Sequence, residues 1–127
     1  MRRLQNFVGG AYRDAEDGPL APLIDPSTGE QFAEAPVSGA GDVDHAVGVA
    51  AEAFTEWRRT TPSERSLALI RIADALEARA DDLVHAECEN TGKPFQLTMD
   101  EEIPPMIDQI RFFAGAARHL QGLAATE

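Results

Sequence analysis

Thr61-Pro62-Ser63-Glu64 opens the stretch that decides how this chain folds, with Leu69, Ile72, Ala73, Leu76, Ala80 and Leu83 behind it. The tetrapeptide reads as a capping box. Thr61 offers its hydroxyl to unpaired N–H groups, Pro62 is tolerated at the first helical position, and Glu64 can reach back to the cap. The apolar residues that follow recur every three or four positions, which puts them on one face of a helix. Gly92, just after Asn90-Thr91, is a natural left-handed stop. The pattern predicts a helix from residue 62 to about residue 91.

Outward from this helix the period stays 3.6 on both sides. Upstream, Val43, Ala46, Val47, Ala50, Phe54 and Trp57 share one face, and Asp42 and Asp44 sit where a helix start favours negative charge. Downstream, a last helix is expected to begin near Asp100-Glu101-Glu102, with Pro104 and Pro105 in its first turn. Its stripe is Ile103, Met106, Ile107, Ile110, Ala114 and Ala117, and Arg111, Arg118 and His119 lie toward its carbonyl end. Residues 4–37 read differently. Gly9-Gly10 separates Asn6-Phe7-Val8 from Ala11-Tyr12-Arg13, a hairpin signal. Leu20 to Asp25 and Gln31 to Val37 are two further strands joined by the turn Pro26-Ser27-Thr28-Gly29. The chain is therefore expected to consist of short amino-terminal β-hairpins (4–37) followed by three to four amphipathic α-helices (42–127). Helices with one apolar stripe must cover something, and short hairpins offer little area. The pattern implies an incomplete layer, to which later residues would add a sheet.

Composition bounds the rest. A chain of 127 residues with 43% hydrophobic and 26% charged residues is ordinary globular material. The net charge of -11 argues against nucleic acid and against an anionic membrane surface. No apolar run is long enough to span a bilayer. Met1-Arg2-Arg3 has no apolar core behind it, so no secretory signal is expected. A single cysteine fits a cytoplasmic setting.

Each residue type capable of chemistry has an ordinary structural reading. Cys88 lies late in a helix between Glu87 and Glu89, where both acids and the carbonyl end would raise a thiol pKa, so a half-buried structural cysteine is expected. His45, His85 and His119 are scattered. His85 and Cys88 can share a helix face, but two ligands are too few for zinc. Gly39-Ala40-Gly41 follows a strand and opens a helix, yet the third glycine of a dinucleotide loop would fall at Asp44, whose carboxylate would repel a pyrophosphate. Asp100, Glu101 and Glu102 could act as a general acid or hold a cation, with electrostatic helix capping as the simpler role. Lys93 could meet a phosphate, though a Lys after a Gly is common. By themselves these residues define no active site.

Six segments in order carry a resemblance. They are Phe7-Val8-Gly9-Gly10-Ala11-Tyr12, Ile24-Asp25-Pro26-Ser27-Thr28-Gly29-Glu30, Asp42 to Phe54 with Trp57, and Pro62-Ser63-Glu64-Arg65. Asn90-Thr91-Gly92-Lys93-Pro94 and the run from Asp100 through Arg111-Phe112-Phe113-Ala114-Gly115-Ala116-Ala117-Arg118 complete the set. Together they resemble the amino-terminal region of NAD(P)-dependent aldehyde dehydrogenases, and the last segment is most similar to the branch that oxidises γ-aminobutyraldehyde, near the betaine-aldehyde branch. The resemblance implies that residues 1–127 are an incomplete amino-terminal part of a Rossmann-like α/β cofactor-binding domain. It implies a parent enzyme that oxidises a small aldehyde to a carboxylate with NAD or NADP, as a cytoplasmic homo-oligomer. In that family a Cys thiolate attacks the aldehyde, an Asn and a backbone N–H hold the oxyanion, and a Glu-activated water releases the acid.

None of those catalytic positions falls within this chain, and Cys88 does not occupy the nucleophile's place. No tight cofactor binding by this chain is expected. What the resemblance does carry over is a structural monovalent-cation site, mapped onto the carbonyls of Leu23 and Ile24 and the carboxylate of Glu102, where Glu replaces the more frequent Asp. An alternative from another class is a stand-alone helical interaction module whose stripes pair across a dimer without catalysis.

Overall fold

A computed structural model describes residues 2–119. Its elements are β1 (Arg2–Arg3), β2 (Asn6–Val8), β3 (Ala11–Arg13), β4 (Leu20–Ile24), β5 (Gln31–Pro36), α1 (Ala40–Trp57), α2 (Pro62–Ala78), α3 (Ala80–Thr91), α4 (Phe95–Glu101) and α5 (Ile103–Ala116). The expected order of hairpins followed by helices holds, with four longer helices and one of seven residues. Residues 120–127, which the sequence assigns to the helical part, lie outside the described residues. Among the described residues no helix is long and apolar enough to cross a membrane. The chain divides into two compact units, one of residues 1–59 with 89–92, the other of residues 60–88 with 93–127.

The first unit holds all five strands and α1. Gly9 and Gly10 adopt φ of 63° and 82°, the left-handed pair that a tight two-residue hairpin needs. Asn6, Phe7 and Val8 accordingly pair with Arg13, Tyr12 and Ala11, and the Phe7 and Tyr12 rings meet edge to face at 5.0 Å. In the second sheet the order is β1-β5-β4, with β1 parallel and β4 antiparallel to β5. Pro22, which can donate no ladder hydrogen bond, sits in β4, an edge strand where that is tolerated. The turn after β4 is closed by Asp25, whose carboxylate accepts from Ser27 N–H and whose carbonyl accepts from Gly29 N–H. Ala33 is the buried centre of this sheet. Strand β1 has no counterpart in the sequence reading, because two arginines carry no alternation and their pairing with Ala33 and Glu34 is long-range.

In the second unit α2 begins as the capping box predicts. Glu64 N–H donates to Thr61 Oγ1 at 3.2 Å, and Thr61 N–H donates to Glu64 Oε2 at 2.7 Å. The expected single helix breaks at Arg79, whose φ of -121° and ψ of 25° separate α2 from α3. Helices α2 and α5 run antiparallel, joined by Arg111 to Asp74 and Glu77 and by Arg118 to Ser63. Ala73, Val84, Ile107 and Ala114 form the buried core. The stop falls where the sequence places it: Gly92 follows α3 with φ of 74°.

One expectation is corrected. Asp100 and Glu101 do not open a helix; they close α4, and α5 begins at Ile103. Pro94, Phe95, Gln96, Leu97 and Thr98 carry too short an apolar pattern to announce a seven-residue helix. At the carbonyl end of α4 these acids cannot complement the helix dipole. Asp100 instead accepts two hydrogen bonds from Gln96 Nε2, one turn back.

Candidate functional site

Gly39 caps the start of α1, and Ala40 and Gly41 are its first two residues. Asp42, in the first turn, turns its carboxylate onto its own helix start and accepts from Gly39 N–H and Glu16 N–H, each at 2.9 Å. Those two backbone donors, Glu16 first, hold the Asp42 carboxyl below its ordinary range. The helix N-terminus is thus already met by an anion from within. Glu64 is lowered in the same way by the N–H and hydroxyl of Thr61. His45, two residues past Asp44's predecessor, hydrogen-bonds Arg13 and lies exposed.

Cys88 is half-buried, with Sγ 3.9 Å from Thr98 Oγ1. His85 does not join it; its ring lies against Phe95 at 4.6 Å between centroids. Among the described residues no three His, Cys, Asp or Glu side chains converge as a metal site. His119, the last described residue, is exposed.

The densest polar cluster surrounds Lys93, the only lysine of the chain. It stands at the elbow between Gly92, which stops α3, and Pro94, which precedes α4. Its Nζ lies 3.0 Å from Glu87 Oε1 on α3 and 2.9 Å from Glu102 Oε2 at the head of α5. Glu102 first, then Glu87, push the amine above its ordinary value. A phosphate here would meet two carboxylates before the ammonium, which removes the phosphate reading. Both acids also line an apolar cleft of roughly 340 Å³ bounded by Leu76, Leu83, Val84, Ile103 and Met106. The cleft's one hydroxyl, that of Thr98, donates to Pro94 O at 3.0 Å.

The three residues expected around a monovalent cation belong to different units. Leu23 and Ile24 are the end of β4 in the first unit, where the strand register shifts between them. Glu102 belongs to the second unit and is engaged by Lys93. Sequence reasoning missed this engagement. The signal was present in the solitary lysine with acids six residues before and nine after it. It also missed the fork of Arg111, whose guanidinium meets Glu77 at 2.6 Å and Asp74 at 2.9 Å and is pushed upward by Glu77 and then Asp74.

Short strands followed by helices that carry apolar stripes are the order seen among the described residues. The profile of the aldehyde dehydrogenase family matches residues 12–127, and the chain belongs to that family. The 2-aminomuconic semialdehyde dehydrogenase of Danio rerio is 38% identical over 116 residues, which are 91% of this chain and 23% of that protein. A long-chain-aldehyde dehydrogenase of an Acinetobacter species is 37% identical over 93% of this chain and 24% of its own length. Among solved structures, the aldehyde dehydrogenase of Bartonella henselae superposes with a TM-score of 0.89 at 25% identity, over 95% of this chain and 26% of that one. An aldehyde dehydrogenase of Bacillus cereus, solved as its NAD+ complex, superposes with a TM-score of 0.84 at 28% identity, over 90% of this chain and 24% of that one. The chain spans about a quarter of the length of the relatives it matches. Its strands and helices correspond to the amino-terminal part of the aldehyde dehydrogenase fold.

Proposed function

We propose that this chain is the amino-terminal portion of an enzyme that oxidises an aldehyde to a carboxylate with NAD or NADP, and that residues 1–127 alone perform no turnover. The family match over residues 12–127 carries the first half of the reading. The second half rests on chemistry. Oxidation by this family needs a thiolate and a base aimed at one carbon. Here the one thiol faces a threonine hydroxyl on a half-buried helix flank, and the perturbed carboxyls serve helix caps. The chain would supply edge strands and flanking helices of a Rossmann-like cofactor-binding domain, whose nucleotide crevice later residues build. Within the parent we place the substrate among small aldehydes of the γ-aminobutyraldehyde type, on the likeness of the run from Asp100 to Arg118, in a cytoplasmic homo-oligomer.

The reading is tested by the intact mass of the endogenous product together with NADH formation. The panel is γ-aminobutyraldehyde, betaine aldehyde, 2-aminomuconic semialdehyde and a long-chain aldehyde. A product several times 13.7 kDa that reduces NAD+ or NADP+ with the first of these is the expected result. Oxidation of any aldehyde by the purified 127-residue chain would overturn the inactive half. A longer product that prefers one of the other aldehydes would overturn the substrate.

A further inference from the structure

Lys93 has the position of a fixed cation. Gly92 and Pro94 set the backbone on either side of it, and its acceptors Glu87 and Glu102 come from α3 and from the cap of α5. An ammonium is a compact point charge with three donors, and two of them are accounted for by Glu87 and Glu102. The family resemblance would have Glu102 hold a monovalent metal ion. The residues present do not fit that assignment, because an ion on Glu102 would stand beside a full positive charge that the same carboxylate already holds. We propose that the ammonium of Lys93 is the built-in counter-cation of Glu87 and Glu102, so that this carboxylate pair takes up neither Na+ nor K+.

Such an arrangement makes the elbow between α3 and α4 independent of salt identity while leaving it sensitive to salt concentration, since both pairs are partly solvated. It also changes the meaning of Glu102. The side chain ties the head of α5, through Lys93, to Glu87 of α3 and is not a metal ligand.

A solitary lysine makes the test direct. Acylation of the 127-residue chain by a succinimidyl ester, read by peptide mass mapping, reports one ε-amine. Lys93 is expected to react more slowly by about threefold or more than in a free peptide of residues 90–96, because two ion pairs keep it protonated. Replacing tetramethylammonium by Na+ or K+ at equal ionic strength is expected to leave the rate unchanged. Glu102→Gln and Glu87→Gln are each expected to raise it. Glu77→Gln, which touches the Arg111 fork, is expected not to. Faster labelling in Na+ or K+ would mean that a metal displaces the ammonium, and the proposal would be wrong. A peptide-like rate in the unaltered chain would overturn it too. So would acceleration by Glu77→Gln equal to that of Glu102→Gln, which would assign the protection to the fold at large.

Discussion

Two isoleucines of the same unit, replaced one at a time by alanine, separate a covered position from an open one. Ile107 on α5 is 4% exposed, whereas Ile72 on α2 is 49% exposed although both lie on predicted apolar stripes. The change removes three carbons, worth about 0.8 kcal/mol each when fully withdrawn from water. At Ile107 nearly all of that is lost, and the void adds a cavity penalty of roughly 1–2 kcal/mol at 24 cal/mol per Å³. Alanine returns about 0.4 kcal/mol through its better helix propensity. Ile107→Ala should therefore cost about 3–4 kcal/mol. At Ile72 only half of the transfer term applies and no sealed void forms, so the cost should be about 0.8 kcal/mol. Urea unfolding followed by circular dichroism measures both. Equal losses, or a transition without cooperativity, would refute the reasoning. In a longer form of the protein that covers the outer face of α2, the Ile72 cost should climb toward that of Ile107.

Three further outcomes are expected. Thr61→Ala removes the hydroxyl that accepts from Glu64 N–H and should destabilise the helical unit by about 1 kcal/mol, whereas Thr61→Gly should lose less than its poor helix propensity suggests; urea midpoints decide it. Gly92→Ala combines a φ of 74° with a new Cβ 3.0 Å from Pro26 Cγ, so it should cost more than the roughly 1–2 kcal/mol expected from the φ of 82° alone in Gly10→Ala, where nothing lies within 4 Å. In pH titrations of stability, Asp42 and Glu64 have depressed folded pKa values, so their contributions are complete above the unfolded values of 3.8 and 4.5 and vanish as pH falls through the lower folded ones. Asp42→Asn and Glu64→Gln should flatten that acid limb. Lys93 is shifted the other way, so its contribution is complete below 10.5 and is lost as pH rises through the higher folded value, and Lys93→Gln should remove that alkaline limb.

Local signals were legible where one residue type dictates one backbone state. Gly9-Gly10, the Thr61-Pro62-Ser63-Glu64 box and Gly92 each appear in the structure as the sequence requires. The failures share a cause. The break at Arg79 and the short α4 interrupt apolar patterns that look continuous, since helix period says nothing of where two helices part. Of the acids at 100–102 only Glu102 stands at a helix start, because charge at a terminus is legible only once the terminus is known. The partners of Lys93 and Arg111 lie across elements, and no local pattern encodes them. Helix α1 has no buried residue, and Val43, Val47 and Phe54 of its apolar stripe are exposed.

The electrostatics of the chain and its chemistry point the same way. A catalytic group needs a shifted pKa and a free valence aimed at open space. Each group with a resolved shift here has its cause in a structural partner: Asp42 and Glu64 in helix caps, Lys93 and Arg111 in ion pairs. Among the described residues no buried side-chain polar atom lacks a hydrogen bond. The large apolar side chains left exposed include Val43, Val47 and Phe54 along α1, and Phe112 and Phe113 on α5. Exposed apolar faces on ordered helices call for packing partners, not substrates. A segment that leaves apolar side chains exposed along ordered helices is built to be covered.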